Sequence, residues 1–268
     1  MRERGLLIVN ADDFGGNRLA TDRILECFGA LAITSTSAMM YMSDSTRAAS
    51  IACSHELPVG LHLNLTQPFE ALDAPEIVRA RQKLVVRHFA GNRLQRISYN
   101  PRLARLVRQC IVDQLACFRA LYRRDPTHID GHNHAHLSPT VLMALPKGTI
   151  TRTAERAPGA NRGMGATARR ARQAFIAHRH LTTEYFLAID RLEGSPEAEG
   201  IERLLAPADR ATVEIMTHPD RDSDYRLLLS KQWREALQRH TLGSFRALRT
   251  GARSPRTGAP SPREDARQ

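Results

Sequence analysis

Short apolar runs rich in β-branched residues alternate along this chain with longer segments of helical period, and four of these runs end in metal-capable or proton-transferring side chains. Alternation of this kind builds βαβ units around a parallel sheet or barrel. In such folds the loops after the C-terminal strand ends share one pocket. The four runs are therefore expected to converge.

The pattern places a first strand at Leu6 to Asn10 and its helix at Arg18 to Leu31, where Leu19, Ile24, Leu25 and Phe28 form an apolar stripe. A second strand is expected from Thr34 to Met40, a helix from Ser43 to His55, and a third strand from Val59 to Leu65. Residues 75 to 122 read as mainly helical, and His128 to Gly131 as another strand. The stretch from Gly148 to Arg172, rich in glycine and arginine, reads as a loop or lid followed by a helix. Thr212 to Thr217 reads as a late strand, and Tyr225 to Arg239 as the last clear helix. Residues 1 to 249 are expected to form one domain, followed by a disordered basic tail of Pro, Ser and Arg over residues 250 to 268.

Asp130-Gly131-His132-Asn133-His134-Ala135-His136 carries an acid and three histidines at every second position. In an extended chain these four side chains would project from one face, as a metal site requires. Asp12 and Asp13 are adjacent carboxylates at a strand end. That repulsion is tolerated where a cation neutralises one and the other accepts a proton. His62 alternates with Leu61 and Leu63, so it faces the barrel interior if the leucines pack outward. His218 precedes Pro219, which holds it in extended geometry at the end of the late strand. A histidine displayed there suits a general acid.

Taken together, the runs NADDFG, GLHLNLT, THIDGHNHAHL and MTHP, in that order, resemble the YdjC-like family of carbohydrate deacetylases, which includes chitooligosaccharide deacetylase. The matching runs are Val9 to Gly15, Thr34 to Ser37, Val59 to Thr66, Thr127 to Leu137 and Glu214 to Pro219. The resemblance implies an α/β fold, an irregular (β/α) barrel related to polysaccharide deacetylase-type barrels. It implies a carbohydrate N-deacetylase, a hydrolase acting on a linear amide C–N bond. Asp13, His62 and His132 would hold one divalent metal ion, magnesium first and zinc or manganese as alternatives. Asp12 would be the general base and His218 the general acid. Asp130, His134 and His136 are assigned to orienting a ligand or touching substrate. The implied partner is an acetylated amino sugar, and a homodimer is compatible with the family.

A net charge of +11 raises a nucleic-acid alternative. Yet Lys83, Lys147 and Lys231 are the only lysines among 39 basic side chains, and the arginines are spread along helices and into the tail. No dedicated nucleic-acid binding is expected. Arg152 and Arg156 read as solvated side chains, with contact to an anionic or polar sugar group as the alternative. No apolar run reaches the ~18 residues of a membrane span. The four cysteines, without a CxxC pair, read as reduced thiols of a cytoplasmic protein. The rival readings are a metal hydrolase of another amide or a phosphoester, and a non-catalytic sugar- or nucleic-acid-binding protein on the same scaffold.

Overall fold

The computed structural model describes residues 5–90, 98–154, 166–192 and 198–250. Six strands form one all-parallel sheet: β1 (Leu6–Phe14), β2 (Ser35–Ala38), β3 (Val59–Leu63), β4 (Ile129–Gly131), β5 (Tyr185–Ala188) and β6 (Thr212–Thr217). Their order is β4-β3-β2-β1-β6-β5. The sheet curls into an incomplete barrel. Beyond β4, isolated bridges link Ile129 to Thr151 and Ile150 to Leu181, just before β5. The expected irregular (β/α) barrel is the observed fold class.

Helices α1 (Arg18–Gly29), α2 (Ser45–Ser54), α3 (Glu76–Ala90), α4 (Pro101–Tyr122) and α5 (Pro139–Ala144) accompany the first four strands. Further along come α6 (Ala166–Arg179), α7 (Ala198–Leu205), α8 (Asp222–Leu228), α9 (Lys231–Leu237) and α10 (Arg246–Thr250). Asn17 starts α1 by accepting from the Ala20 amide, and Asn100 starts α4 by accepting from the Arg102 and Leu103 amides. Such caps satisfy amides that a helix start leaves without partners.

Two sequence expectations are corrected and one strand was missed. The first strand runs on to Phe14, because it keeps pairing past Asn10 through an irregularity between Ala11 and Phe14. The helix expected from Tyr225 to Arg239 is two helices. Ser230 interrupts it, its hydroxyl accepting from the Trp233 amide and so starting α9. The short strand β5 was not anticipated, since four residues beside a glycine- and arginine-rich stretch give little pattern. The expected tail and much of the expected lid lie outside the described residues.

Alternation along the strands sorts the interior. Leu7, Val9 and Ala11 of β1, Leu61 and Leu63 of β3, and Val213 and Ile215 of β6 join the main apolar core with Ile24, Cys27 and Trp233. The intervening residues face inward. Leu6 and Ile8 meet Ile150 and Phe245 to form a small apolar cluster at the N-terminal end of the barrel. Asn10 and Asp12 continue the same row toward the other end, and both are buried. Among the described residues, no helix is long and apolar enough to cross a membrane.

Candidate metal and catalytic site

The irregularity in β1 creates the first half of the site. Asp13 sits at φ 68°, a left-handed conformation uncommon outside glycine and asparagine. A bulge of this kind lets two consecutive side chains serve one side of a strand. Asp12 therefore points into the barrel while Asp13 reaches its mouth. His62 comes from β3, inward as its alternation with Leu61 and Leu63 predicts.

The histidine run is corrected in its geometry. The strand stops at Gly131, and His132–Leu137 form a 3₁₀ turn in which Asn133 (φ 51°) and His134 (φ 55°) are left-handed. Period two therefore ends at His132. Gly131 permits the turn, because a Cβ there would lie 3.0 Å from the His136 backbone nitrogen. His132 reaches the centre, and His134 lines the cavity edge-on to Phe186, with ring centroids 5.7 Å apart. His136 is fully buried, with Nε2 3.2 Å from the carbonyl of Arg152. It cannot touch substrate; it braces the Arg152 backbone.

Asp13, His62 and His132 offer three donor atoms within 4.8 Å of one another. Asp13 Oδ1 lies 3.3 Å from His62 Nε2 and 3.0 Å from His132 Nδ1. One carboxylate and two imidazoles form a donor set that fits a divalent ion and leaves coordination positions free. The other nitrogen of His62, Nδ1, is 2.8 Å from Asp130 Oδ1. That contact fixes the ring orientation and presents Nε2 to the mouth. Burial opposes a charged His62 ring, yet Asp130 and Asp12 raise its pKa well above the ordinary 6.5. A metal ion would therefore compete with a proton at Nε2. Burial likewise works against the ionised form of Asp13, but hydrogen bonds from His132 and His62 hold its carboxyl well below the usual range.

Beneath this group lies a buried ionic cluster centred on Arg152, whose side chain is fully buried. This corrects the solvated reading of Arg152; Arg156 lies outside the described residues. Arg152 Nη1 donates to Asp12 Oδ2 at 2.7 Å and Nη2 to Asp12 Oδ1 at 2.6 Å. Nη2 also lies 2.8 Å from Asp130 Oδ2, and Nε donates to Glu214 Oε1 at 2.6 Å. The Ser37 hydroxyl stands 3.0 Å from Asp130 Oδ2 and 3.3 Å from Asp12 Oδ1. Asn10 Nδ2 donates to Asp12 Oδ1 at 2.9 Å. Burial would raise the pKa of Asp12 and Asp130, but the Arg152 guanidinium overrides it and holds both carboxyls low. Glu214 differs: burial dominates and pushes it up to about 7.

Asn10, Ser37 and Glu214 received no role from the sequence, and Arg152 none in the buried centre. Glu214 was open to recognition, as the charged residue between Val213 and Ile215 in a strand whose alternate positions face inward. Arg152 had no such signal, because its strand partner at Thr151 is a single bridge.

A cavity of about 340 Å³ opens above the cluster, lined by Asp12, Asp13, His62, His132, His134 and His218 among others. His218 Nε2 stands 4.0 Å from Asp12 Oδ2, and its backbone amide donates to Asp224 Oδ2 at 2.8 Å. Four separated sequence runs thus converge at one strand-end cavity.

Comparison with known proteins identifies the family and the fold. Over 150 residues the chain is 35% identical to a carbohydrate deacetylase of Homo sapiens, a match covering 54% of this chain and 45% of that protein. The chain thus spans about half the length of that relative. It is 29% identical over 227 residues to the chitooligosaccharide deacetylase of Yersinia enterocolitica, covering 80% of this chain and 81% of that one. Among solved structures, a protein of Enterococcus faecalis V583 provisionally named for cellobiose-phosphate cleavage superimposes with a TM-score of 0.66 at 20% identity. That match covers 92% of this chain and 99% of the other. A family 4 acetyl xylan esterase of Clostridium thermocellum, in complex with a cobalt ion, shares the fold at a TM-score of 0.51 and 12% identity, covering 91% and 90%. The YdjC-like protein family matches residues 6–240, nearly the whole described chain, and this chain belongs to it.

Proposed function

We propose that this chain is a metal-dependent hydrolase that removes an N-acetyl group from an amino sugar. The observation that carries the reading is the meeting of Asp13, His62 and His132 with Asp12 in one cavity. The deacetylase names of its relatives supply the substrate class.

An acetamide is a poor electrophile and water a poor nucleophile at neutral pH, so hydrolysis needs both activated. Asp13, His62 and His132 would hold a divalent ion, which would supply the Lewis acidity this hydrolysis needs. Asp12 takes the water proton. Both its oxygens are already hydrogen-bonded to Arg152, which makes it a weak but rigidly aimed base. His218 gives a proton to the leaving sugar amine, and Asp130 keeps His62 in the orientation that offers Nε2.

Magnesium is the first candidate ion, with manganese and zinc as alternatives. Free thiols at Cys27, Cys53, Cys110 and Cys117 support a cytoplasmic, reducing setting. The test is acetate release from a panel of N-acetylated sugars by metal-stripped protein with Mg, Mn or Zn restored, beside Asp12→Asn and His132→Ala. Release that returns with metal and vanishes in both variants is the expected result. Tight metal binding without release from any sugar would transfer the site to another amide or phosphoester.

A further inference from the structure

Among the described residues, two groups of donors have the spacing of a metal site. Besides Asp13, His62 and His132, the buried trio Asp12, His62 and Asp130 brings three ligand-type atoms within 4.8 Å of one another. The groups share His62, whose Nε2 faces Asp13 and whose Nδ1 faces Asp130. By donor chemistry alone this would be a two-metal centre bridged by an imidazole.

The second group is already filled. We propose that Arg152 is the built-in second cation of this centre: its guanidinium stands between Asp12 and Asp130 where a second divalent ion would otherwise bind. The inference rests on the metal reading of the first group, but not on the identity of the substrate. Nη2 is 2.6 Å from Asp12 Oδ1 and 2.8 Å from Asp130 Oδ2. The side chain has no freedom to swing aside. Nε is held by Glu214 at 2.6 Å, the guanidinium carbon lies 5.0 Å from the Phe186 ring centroid, and His136 bonds the backbone carbonyl. A guanidinium stays charged across the whole working pH range, unlike a lysine in the same place.

This assignment explains how two adjacent aspartates acquire different work. Asp12 and Asp13 are chemically identical, and either could coordinate a metal. Arg152 donates to both oxygens of Asp12 and neutralises its charge, which makes Asp12 a poorer metal ligand than Asp13, while Oδ2 keeps a second lone pair able to accept a proton. It also engages Asp130 Oδ2 while Oδ1 takes the hydrogen of His62 Nδ1. The centre therefore holds one metal ion and one fixed organic cation.

Metal stoichiometry tests this directly. The full chain, metal-stripped and titrated with Mn²⁺ or Zn²⁺ under native mass spectrometry, is expected to bind one ion. Arg152→Ala is expected to bind two, and the double variant Arg152→Ala with Asp130→Asn to return to one. Two ions in the wild type, or a single ion in folded Arg152→Ala, would overturn the proposal. Should Arg152→Ala unfold without metal, refolding in excess Mn²⁺ decides. Folded protein carrying two ions supports the assignment; one ion, or no recovery, refutes it. A wild type that binds no divalent ion would remove the metal reading of the first group, and in that case alone a single ion in Arg152→Ala, lost with Asp130→Asn, upholds the assignment of the second.

Discussion

The two ends of the barrel interior are built on the same inward-facing rows, yet they are opposites. At the N-terminal end, Leu6, Ile8, Ile150 and Phe245 close the floor with apolar contact. At the other end stand Asn10 and Asp12 of β1, Glu214 of β6, His62 of β3 and Asp130 of β4, all buried. Burial of apolar surface needs only volume and shape, so the floor tolerates similar residues. Burial of charge needs every partner present, so the mouth tolerates few. One set of strands thus carries stability at one end and chemistry at the other.

Between the two ends lies His128. Its ring stacks on Phe245 with centroids 3.7 Å apart, and its Nε2 is 3.9 Å from Asp130 Oδ2. Gly60 makes room for it, because a Cβ there would fall 2.2 Å from the imidazole. Burial lowers the His128 pKa to about 4, so the ring is neutral at working pH and belongs with the floor.

The sharpest way to break the comparison is Arg152→Ala, which leaves three buried carboxylates without their cation. In metal-free protein it should cost ~3–5 kcal/mol in urea denaturation. A loss below ~1 kcal/mol would mean that the mouth is not knit by charge at all. Phe245→Ala should cost ~3 kcal/mol by opening a cavity in the floor. Its metal affinity should nevertheless match the wild type, and a parallel loss would show that the two ends communicate through His128.

Asp130→Asn keeps the shape of the mouth but weakens the support of His62. Calorimetric titration should show metal affinity falling by ~10–100-fold, with stoichiometry unchanged. An unaltered affinity would remove Asp130 from the role of orienting partner.

Smaller effects should appear with pH. His62 is held well above 6.5 before metal arrives, so binding must displace a proton. Apparent affinity should rise with pH and level off once the raised pKa is passed, with proton release measurable by titration in two buffers. Stability of metal-free protein runs the other way. A raised histidine pKa stabilises the fold fully below the unfolded value, and that contribution is lost as pH climbs through the folded pKa. Glu214 adds to the slope, since its carboxyl moves from 4.5 up to about 7 and the folded form must ionise in a buried place above that. Thermal melts should show stability declining from about pH 4.5 to 7 through this group, and Glu214→Gln should flatten that part of the curve. An unchanged slope would assign it elsewhere.

Much of the fold was legible in the residues. Thr212 to Thr217 is strand β6 with the expected bounds, and the inward turn of His62 follows from its leucine neighbours. Both readings rest on local alternation, which pairing in a sheet preserves. Where the backbone leaves regular geometry the reading failed. The row of histidines ended at His132, since left-handed Asn133 and His134 turn the chain. The length of β1 was missed because its bulge hides the continuing pairing.

The sequence by itself determined the α/β architecture, the strand-end position of the four runs and the residues able to hold a metal, because those depend on side-chain type and on periods of two and 3.6 residues. Only the tertiary structure decided how the buried carboxylates are paired. Arg152 stands 140 residues from Asp12, and no local pattern reveals that a guanidinium will be buried between Asp12, Asp130 and Glu214. Buried charge is satisfied by long-range partners, so its arrangement exists only once the strands have closed around it.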